Sequence, residues 1–323
     1  MKIVTVSTIR NEADIIESFV RYHIQFVDRM IITNHRSADA SGRILQALRE
    51  EGLPLDLWEE NHLELQQGQI LTRSMKFAVA EHGANWIVPL DADEFLTPAA
   101  DGDVRGIFSG LPQEKIIKVA WRTHVPLPSD DPEEANVLRR IKHHKRMENQ
   151  SLRKILIPRQ VAEKPHGLIA PGSHGYTFRR LIREREHPSI ANNQLVLAHY
   201  PVRSSPQILT KAFVGWLACI SKRNRQPNEN FHLKLLFDHV KSNRPLQPEE
   251  LSSMALGYST TSQLSAMEPD DLLKSPLALQ SVPLRYTRGY ECDPISVLAQ
   301  LAEDFAKAVG AVKRMPIIGR LAA

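Results

Sequence analysis

The stretch WIVPLDADEFL, residues 86–96, joins a short apolar run to a knot of acids. Trp86, Ile87, Val88 and Leu90 have the make-up of a central strand, and Asp91, Asp93 and Glu94 follow at once. Three carboxylates close to one another at the end of a buried strand repel each other and lose their hydration, so something must hold them there.

Working upstream, IVTVST (3–8) is a β-branched run that predicts a strand. RNEADIIESFVRYHIQF follows with Ile15, Ile16, Phe19, Val20 and His23 at helical spacing. DRMIITNH predicts a second strand, and SADASGRILQALREEG a helix with Ser37 or Asp39 as cap and Gly52 as stop. LPLDLWEE predicts a third strand, GQILTRSMKFAVAEHG a third helix, and ANWIVPLDADEFL the strand after it. Strands alternating with helices imply an α/β fold with a mostly parallel sheet flanked by helices. Ligands of such sheets bind beyond the carboxyl ends of the strands, where the acids at 91–94 lie.

Downstream, KIIKVAWRTHVPL, KILIPRQV and QLVLAHYPV predict further strands, with a long charged excursion over 129–153 and a glycine-rich stretch, GLIAPGSHGYTF. From SPQILTKAFVGWLACISK onward the chain reads as mainly helical. Its last helix, PISVLAQLAEDFAKAV, carries an apolar stripe of Ile295, Leu298, Leu301, Phe305 and Val309. The expected division is a core over 1–215 and a helical extension over 216–323 packed on it.

Composition narrows the function. The 323 residues are 42% hydrophobic and 24% charged, which places the chain among ordinary globular proteins rather than disordered ones. A net charge of +4 and one short basic run, RRIKHHKR at 139–146, argue against nucleic acid as partner. Two cysteines, Cys219 and Cys292, make neither a disulfide framework nor a four-ligand zinc site and read as buried thiols. With neither a secretory leader nor an 18-residue apolar run in view, the expected location is cytoplasmic, with peripheral contact at the inner membrane face as a further expectation carried by the helix ending in KRMPIIGR.

Two carboxylates one residue apart, with a small residue between them, suit a divalent cation that keeps ligand positions open for phosphate oxygens. Read blandly, DAD is a solvated turn or a helix cap. RNEAD at 10–14 follows the first strand, where Arg10 could meet a phosphate and Asn11 and Glu12 a base or ribose; helix capping is the alternative.

STIRNEADIIESFVRYH, IITNHRSADASGRIL and WIVPLDADEFL, in this order and spacing, together resemble the N-terminal half of a glycosyltransferase of the GT-A fold, in the family 2 group and its short bacterial branch with a DxDEF motif. The resemblance is strong over 3–98 and continues weakly to about 215. It implies a Rossmann-like domain that takes a nucleotide-diphosphate sugar and passes the sugar, with inversion, to a hydroxyl of a glycan or lipid-linked acceptor, as in bacterial surface polysaccharide synthesis. It also implies that Thr8, Arg10, Asn11 and Glu12 line the nucleotide pocket, that Asp39 sits beside base or ribose, and that Arg73 reaches the donor. Asp91 would address the ribose or metal-bound water, and Asp93 would bind the Mn2+ or Mg2+ that bridges the diphosphate. Where many relatives carry an aspartate at the end of the second strand this chain has Asn34, which hydrogen-bonds a base without supplying charge, so no uracil preference follows.

His174 in GSHG and His199 after LVLA could each complete a metal site with Asp93. Arg203 and Lys211, in HYPVRSSPQILTK, would stabilise the diphosphate leaving group, or form a solvated helix face. Asp130, Asp131, Glu133 and His174 are open candidates for the catalytic base. Two other functions use the same carboxylates: a nucleotidyltransferase or other enzyme of nucleotide diphosphates, although no glycine-rich phosphate loop is present, and a sugar-nucleotide-binding protein without turnover.

Overall fold

The computed structural model describes residues 1–62, 66–148, 153–180, 183–220, 233–234, 236–238, 246–258, 271–275, 277, 283–287 and 294–314. The N-terminal half follows the expected alternation: β1 (Ile3–Ile9), α1 (Ile16–His23), β2 (Arg29–Asn34), α2 (Ser41–Glu50), β3 (Leu55–Glu59), α3 (Gln67–His82) and β4 (Trp86–Pro89). Strands β3, β2, β1 and β4 lie side by side in that order and all run parallel. Successive side chains of a strand point to opposite faces. Ile3, Met30, Ile32, Trp86 and Val88 therefore pack against α1 and α2, whereas Val4, Val6, Ile31 and Ile87 pack against Leu71, Met75 and Ala78 of α3. Each large apolar side chain buried in this way contributes about 1.5–3 kcal/mol. Gly68 lets α3 approach closely, since a Cβ there would lie 2.5 Å from the carbonyl of Ile169.

The stretch read as one strand over 84–96 is two. β4 ends at Pro89, residues 90–93 turn, and the chain resumes as β5 (Glu94–Pro98). The turn is closed by the acids themselves: the Asp91 amide donates to Glu94 Oε2 at 3.0 Å, and the Glu94 amide donates to the Asp91 carbonyl at 3.1 Å. His23, buried in α1, fastens β5 from behind. Its Nδ1–H donates to the Phe19 carbonyl, its Nε2 accepts the Leu96 amide, and its ring stacks on Phe95.

Beyond β5 come α4 (Val104–Ser109), β6 (Ile116–Val125), α5 (Val137–Arg140), β7 (His143–Lys145), β8 (Arg153–Pro158), α6 (Arg159–Ala162), β9 (Gly167–Ile169), β10 (Tyr176–Arg180), β11 (Arg183–Glu186) and β12 (Ser189–His199). β8 inserts between β4 and β6, antiparallel to both; β12 lies parallel to β6 and antiparallel to β5. The ten-stranded sheet is thus parallel in its β3-β2-β1-β4 half and mixed beyond, in an α/β architecture with helices on both faces. The glycine-rich stretch contributes to a separate antiparallel sheet, β9-β10-β11. The basic run at 139–146 is no continuous face, because it is divided between α5 and β7 and buries His144.

Helix α7 (Ser205–Ile220) continues through residue 215, and α8 (Pro248–Leu256), β13 (Leu272–Lys274) and α9 (Pro294–Arg314) follow. β13 joins the large sheet at β7. The buried face of α9 keeps Leu301 and Phe305 of the expected stripe and adds Val297, packed with Val214 and Leu217 of α7, whereas Ile295 is 72% exposed and the Val309 side chain lies outside the described residues. The same face carries the buried Asp304, whose carboxylate pairs with Arg36 at 2.5 Å. Closer to the core, the buried Glu17 carboxylate of α1 accepts the backbone N–H groups of Arg285, Tyr286 and Thr287 at 2.8–2.9 Å. Cys219 is buried in α7; Cys292 and the MPIIGR segment that follows α9 in the sequence lie outside the described residues. Among the described residues no helix is long and apolar enough to cross a membrane.

Candidate active site

β1 and β2 end together, with Ile9 opposite Asn34, and the loops that follow them interlock. The amides of Asn11, Glu12 and Ala13 donate to Ser37 Oγ, Ser41 Oγ and Asp39 Oδ2 at 3.0, 2.8 and 3.0 Å. Asn11 Oδ1 accepts the Ala38 amide at 2.7 Å in return. Asn11 is left-handed here, at φ +57°, a conformation that asparagine adopts more readily than most residues. Asn11 and Asp39 thus shape this mouth through backbone contacts. Thr8 Oγ1, Arg10 Nε and Asn11 Nδ2 are buried there without a hydrogen-bond partner among the described residues. Burial, and then Arg36, lower Arg10 to about 10. Asn34 is held between Glu59, to which it donates at 3.1 Å, and the Ser37 amide, which it accepts.

The acids at the end of β4 are compensated by the chain's own cations. Lys154, from β8, is buried and places Nζ 2.6 Å from Asp91 Oδ2 and 3.1 Å from Glu94 Oε2. Asp91 also accepts Gln67 Nε2 at 3.0 Å and remains 33% exposed. Burial lifts Glu94 to about 8, with Lys154 opposing. Asp93 is deeper. Its Oδ2 faces Lys211 Nζ at 3.2 Å, Arg203 Nη1 at 3.8 Å and His199 Nε2 at 3.8 Å. Burial alone would raise its pKa, but the cations Lys211 and Arg203 prevail and hold it well below the usual carboxylate range.

Arg203 is buried and engaged on nearly every nitrogen. It is bidentate to Asp14 at 2.7 and 2.9 Å, donates to Glu12 at 2.6 Å and reaches the Tyr200 carbonyl at 3.0 Å. The structure thus joins Arg203 to RNEAD rather than presenting it for a diphosphate. Lys211 keeps a 28% exposed side chain and also lies 5.4 Å from the ring of Tyr258, just after α8.

Aromatic rings wall the acids. Trp121 of β6 stacks on His199 at 4.6 Å, meets His174 edge-on at 5.4 Å and lies 6.0 Å from Lys154 Nζ. His174 donates Nδ1–H to the Arg153 carbonyl at 3.0 Å, leaving Nε2 as a lone pair. Burial keeps it neutral, and it is close enough to Lys154 and Asp91 to feel both charges. Trp121 Nε1, His199 Nδ1 and Glu94 Oε1 are buried without hydrogen-bond partners. Buried polar atoms are rarely left so, and these three are open to bonding by a water or a ligand.

The structure therefore brings Asp91, Asp93, His174, His199 and Lys211 together, with Glu12 joined through Arg203. Asp130 and Asp131 stand elsewhere, closing a local turn by accepting the amides of Leu127 and Glu133. Arg73 lies on an outer face over Trp58, 3.5 Å from Glu60. The residues that sequence reasoning missed are Lys154, Trp121, Gln67 and Tyr258. Of these only Lys154 left a trace, as a lone lysine at the head of the apolar run ILIP.

No three His, Cys, Asp or Glu side chains converge as a metal cage among the described residues. The donor set fits a divalent cation in a sparser way. Asp93 is an ionised carboxylate, and beside it burial pushes His199 down to about 3, so its imidazole is neutral and able to ligate. One carboxylate and one imidazole suit an ion that takes its remaining ligands from phosphates.

No known family's profile matches the chain, and no curated protein does. Among solved structures it is similar to S. aureus TarS 1-349, at 10% identity over 81% of this chain and 73% of that one, with a TM-score of 0.36. It is also similar to HddC from Yersinia pseudotuberculosis, at 13% identity over 62% and 93%, TM-score 0.33. A third is glucosyl-3-phosphoglycerate synthase from Mycobacterium tuberculosis in complex with Mn2+, uridine diphosphate and phosphoglyceric acid, at 17% identity, TM-score 0.26. That match covers 37% of this chain and 43% of the synthase. At such scores none of the three bears on what this chain does.

Proposed function

We propose that the protein is a glycosyltransferase, moving a sugar from a nucleotide-diphosphate sugar to an acceptor hydroxyl with inversion and with the help of Mn2+ or Mg2+. The observation that carries this reading is Asp93, a buried carboxylate kept ionised beside a neutral His199 and an ammonium, at the carboxyl end of the parallel strands. The interlocked loops after β1 and β2 supply the mouth for the nucleotide, with Thr8, Arg10 and Asn11 offering unsatisfied polar atoms. Asp93 and His199 would hold the cation, which when bound supplies positive charge to the two phosphates. Lys211 adds charge where the diphosphate departs. Asp91, partly open and oriented by Lys154 and Gln67, meets the donor's ribose or sugar hydroxyls.

In this reading the bond between the sugar's anomeric carbon and the diphosphate oxygen breaks as the acceptor oxygen bonds to that carbon. His174 Nε2 takes the acceptor's proton. Support for His174 over Asp130 and Asp131 is its place beside Asp91 with a fixed tautomer, while the two aspartates close a turn. A glycan or lipid-linked acceptor, a bacterial surface polysaccharide as product and a cytoplasmic setting rest on the sequence resemblance alone.

Calorimetric titration of UDP and GDP into the protein, with and without Mn2+ and against Asp93→Ala, tests the site. Binding that needs the ion and is lost in the variant supports it; no binding of either nucleotide removes it. Incubation with nucleotide sugars then separates the chemistries. Release of nucleoside diphosphate supports sugar transfer, whereas release of pyrophosphate from a nucleoside triphosphate and a sugar phosphate would replace it with nucleotidyl transfer.

A further inference from the structure

We infer that Lys211 is a tethered stand-in for the divalent cation: its ammonium neutralises Asp93 in the empty site and passes to the diphosphate when the ion arrives, so that ion and nucleotide bind cooperatively. This rests on the reading of Asp93 as the metal-binding carboxylate.

Three groups share one oxygen, Asp93 Oδ2: Lys211 at 3.2 Å, and Arg203 and His199 each at 3.8 Å. They differ in their freedom to leave. Arg203 is fixed by Asp14, Glu12 and the Tyr200 carbonyl, with a fully buried side chain. His199 is clamped against Trp121. Lys211 rides on a four-carbon stem from α7, has a 28% exposed side chain, and reaches toward Asp93 beside the Tyr258 ring. Among the described residues it is the positive group at this oxygen held by the fewest other partners, its further hydrogen bond being to the Tyr258 side chain.

A divalent ion bound to a carboxylate oxygen sits about 2.0–2.2 Å from it. An ammonium about 3 Å from the same oxygen would then lie within a few ångströms of a double positive charge, a repulsion strong in a buried site. The ion must displace Lys211, and displacement is unfavourable while the ammonium has nowhere else to go. A diphosphate on the ion gives it that place. Linkage is reciprocal, so the nucleotide tightens the ion by the factor with which the ion tightens the nucleotide. The arrangement also spares Asp93 from standing buried and unpaired between turnovers, a costly state.

The test is Mn2+ binding to the full chain by calorimetry, without nucleotide and then with whichever of UDP and GDP binds. Lys211→Met is expected to bind Mn2+ alone at least tenfold more tightly than wild type, and to lose most of the tightening that nucleotide brings. Lys211→Arg, which keeps the charge, is expected to remain as weak as wild type for Mn2+ alone and controls for folding of α7. Equal or weaker Mn2+ binding by Lys211→Met overturns the inference. Asp93→Asn separates the two levels: loss of Mn2+ binding there, with Lys211→Met unchanged from wild type, removes the lysine's role alone. Mn2+ binding that survives Asp93→Asn, or is absent throughout, removes the underlying reading and the inference with it.

Discussion

Lys154 Nζ and Asp91 Oδ2 stand 2.6 Å apart although 63 positions separate them in the chain, and the same ammonium reaches Glu94 at 3.1 Å. The antiparallel strand β8 exists where it does, next to β4, and so delivers a counter-charge beneath the acidic turn. Removing one partner of a buried ion pair leaves the other uncompensated and costs about 3–5 kcal/mol. Lys154→Met is expected to lose that much in urea unfolding, and Asp91→Asn added to it to recover part of the loss, since Asp91 is the lysine's nearer partner. A near-neutral single variant would show that the acids do not depend on this lysine.

His174 makes a kinetic prediction. With Nδ1–H committed to Arg153 and Nε2 the accepting nitrogen, His174→Gln is expected to lower kcat by about 10²- to 10⁴-fold, the usual worth of a general base. The KM for the nucleotide sugar should stay near wild type. A variant that loses donor affinity and keeps kcat would move His174 to the donor side of the site.

Acid stability follows from three buried histidines. Burial holds His23, His124 and His199 near 3. In the unfolded chain they titrate near about 6.5. Above that pH neither state binds the protons and these groups contribute no slope. As pH falls from about 6.5 toward 3 the unfolded chain takes up protons that the folded one refuses, so stability is lost on acidification, by up to about 1.4 kcal/mol per pH unit for each group. Burial lifts Glu12 and Glu94 to about 8, and these two carboxyls gain stability as pH falls, so urea midpoints measured from pH 7.5 to 5 should rise slightly toward about 6.5 and fall below it, where three histidines outweigh two carboxyls. A level profile to pH 5 would show that the three rings accept protons in the fold.

Asn11 separates backbone from side chain. Asn11→Gly keeps the left-handed conformation and loses only the bond to the Ala38 amide, a loss of about 1 kcal/mol. Asn11→Val loses that bond and forces a β-branched residue to φ +57°, a further cost of about 1–2 kcal/mol. Thermal unfolding should rank wild type, Gly and Val in that order, and nucleotide binding should weaken in the same order if the interlocked loops form the mouth. Equal stability of the Gly and Val variants would contradict the strained geometry.

Much of this was legible from sequence where physics is local. The run IVTVST, the helical spacing through Phe19 and His23, and the apolar strand before Asp91 placed β1, α1, β4 and the acids at a strand end. The break after Pro89 was missed because no Gly or Asn marks the turn: the Glu94 carboxylate folds back on the Asp91 amide and makes it. Pro89 itself was the available signal, since a proline sits poorly inside a central strand. The partners of Lys154, Tyr258 and Asp304 were unreadable for another reason. Each acts on a partner far along the chain, and a single lysine, tyrosine or aspartate carries no pattern. Arg203 shows the converse: its chemistry suits a diphosphate, yet Asp14, three residues from the motif's Asn11, claims its guanidinium.

The grip of Glu17 on residues 285–287 has a consequence for biosynthesis. The carboxylate and the amides that satisfy it are 268–270 residues apart. At about 5–20 residues per second of translation, roughly ten to fifty seconds pass between the synthesis of the one and the arrival of the other. Through that interval the nascent sheet carries an acidic group on α1 with Arg21 as its neighbour at 2.8 Å and the three amides still to come. The contact between Glu17 and residues 285–287 therefore closes only after nearly the whole chain has been made.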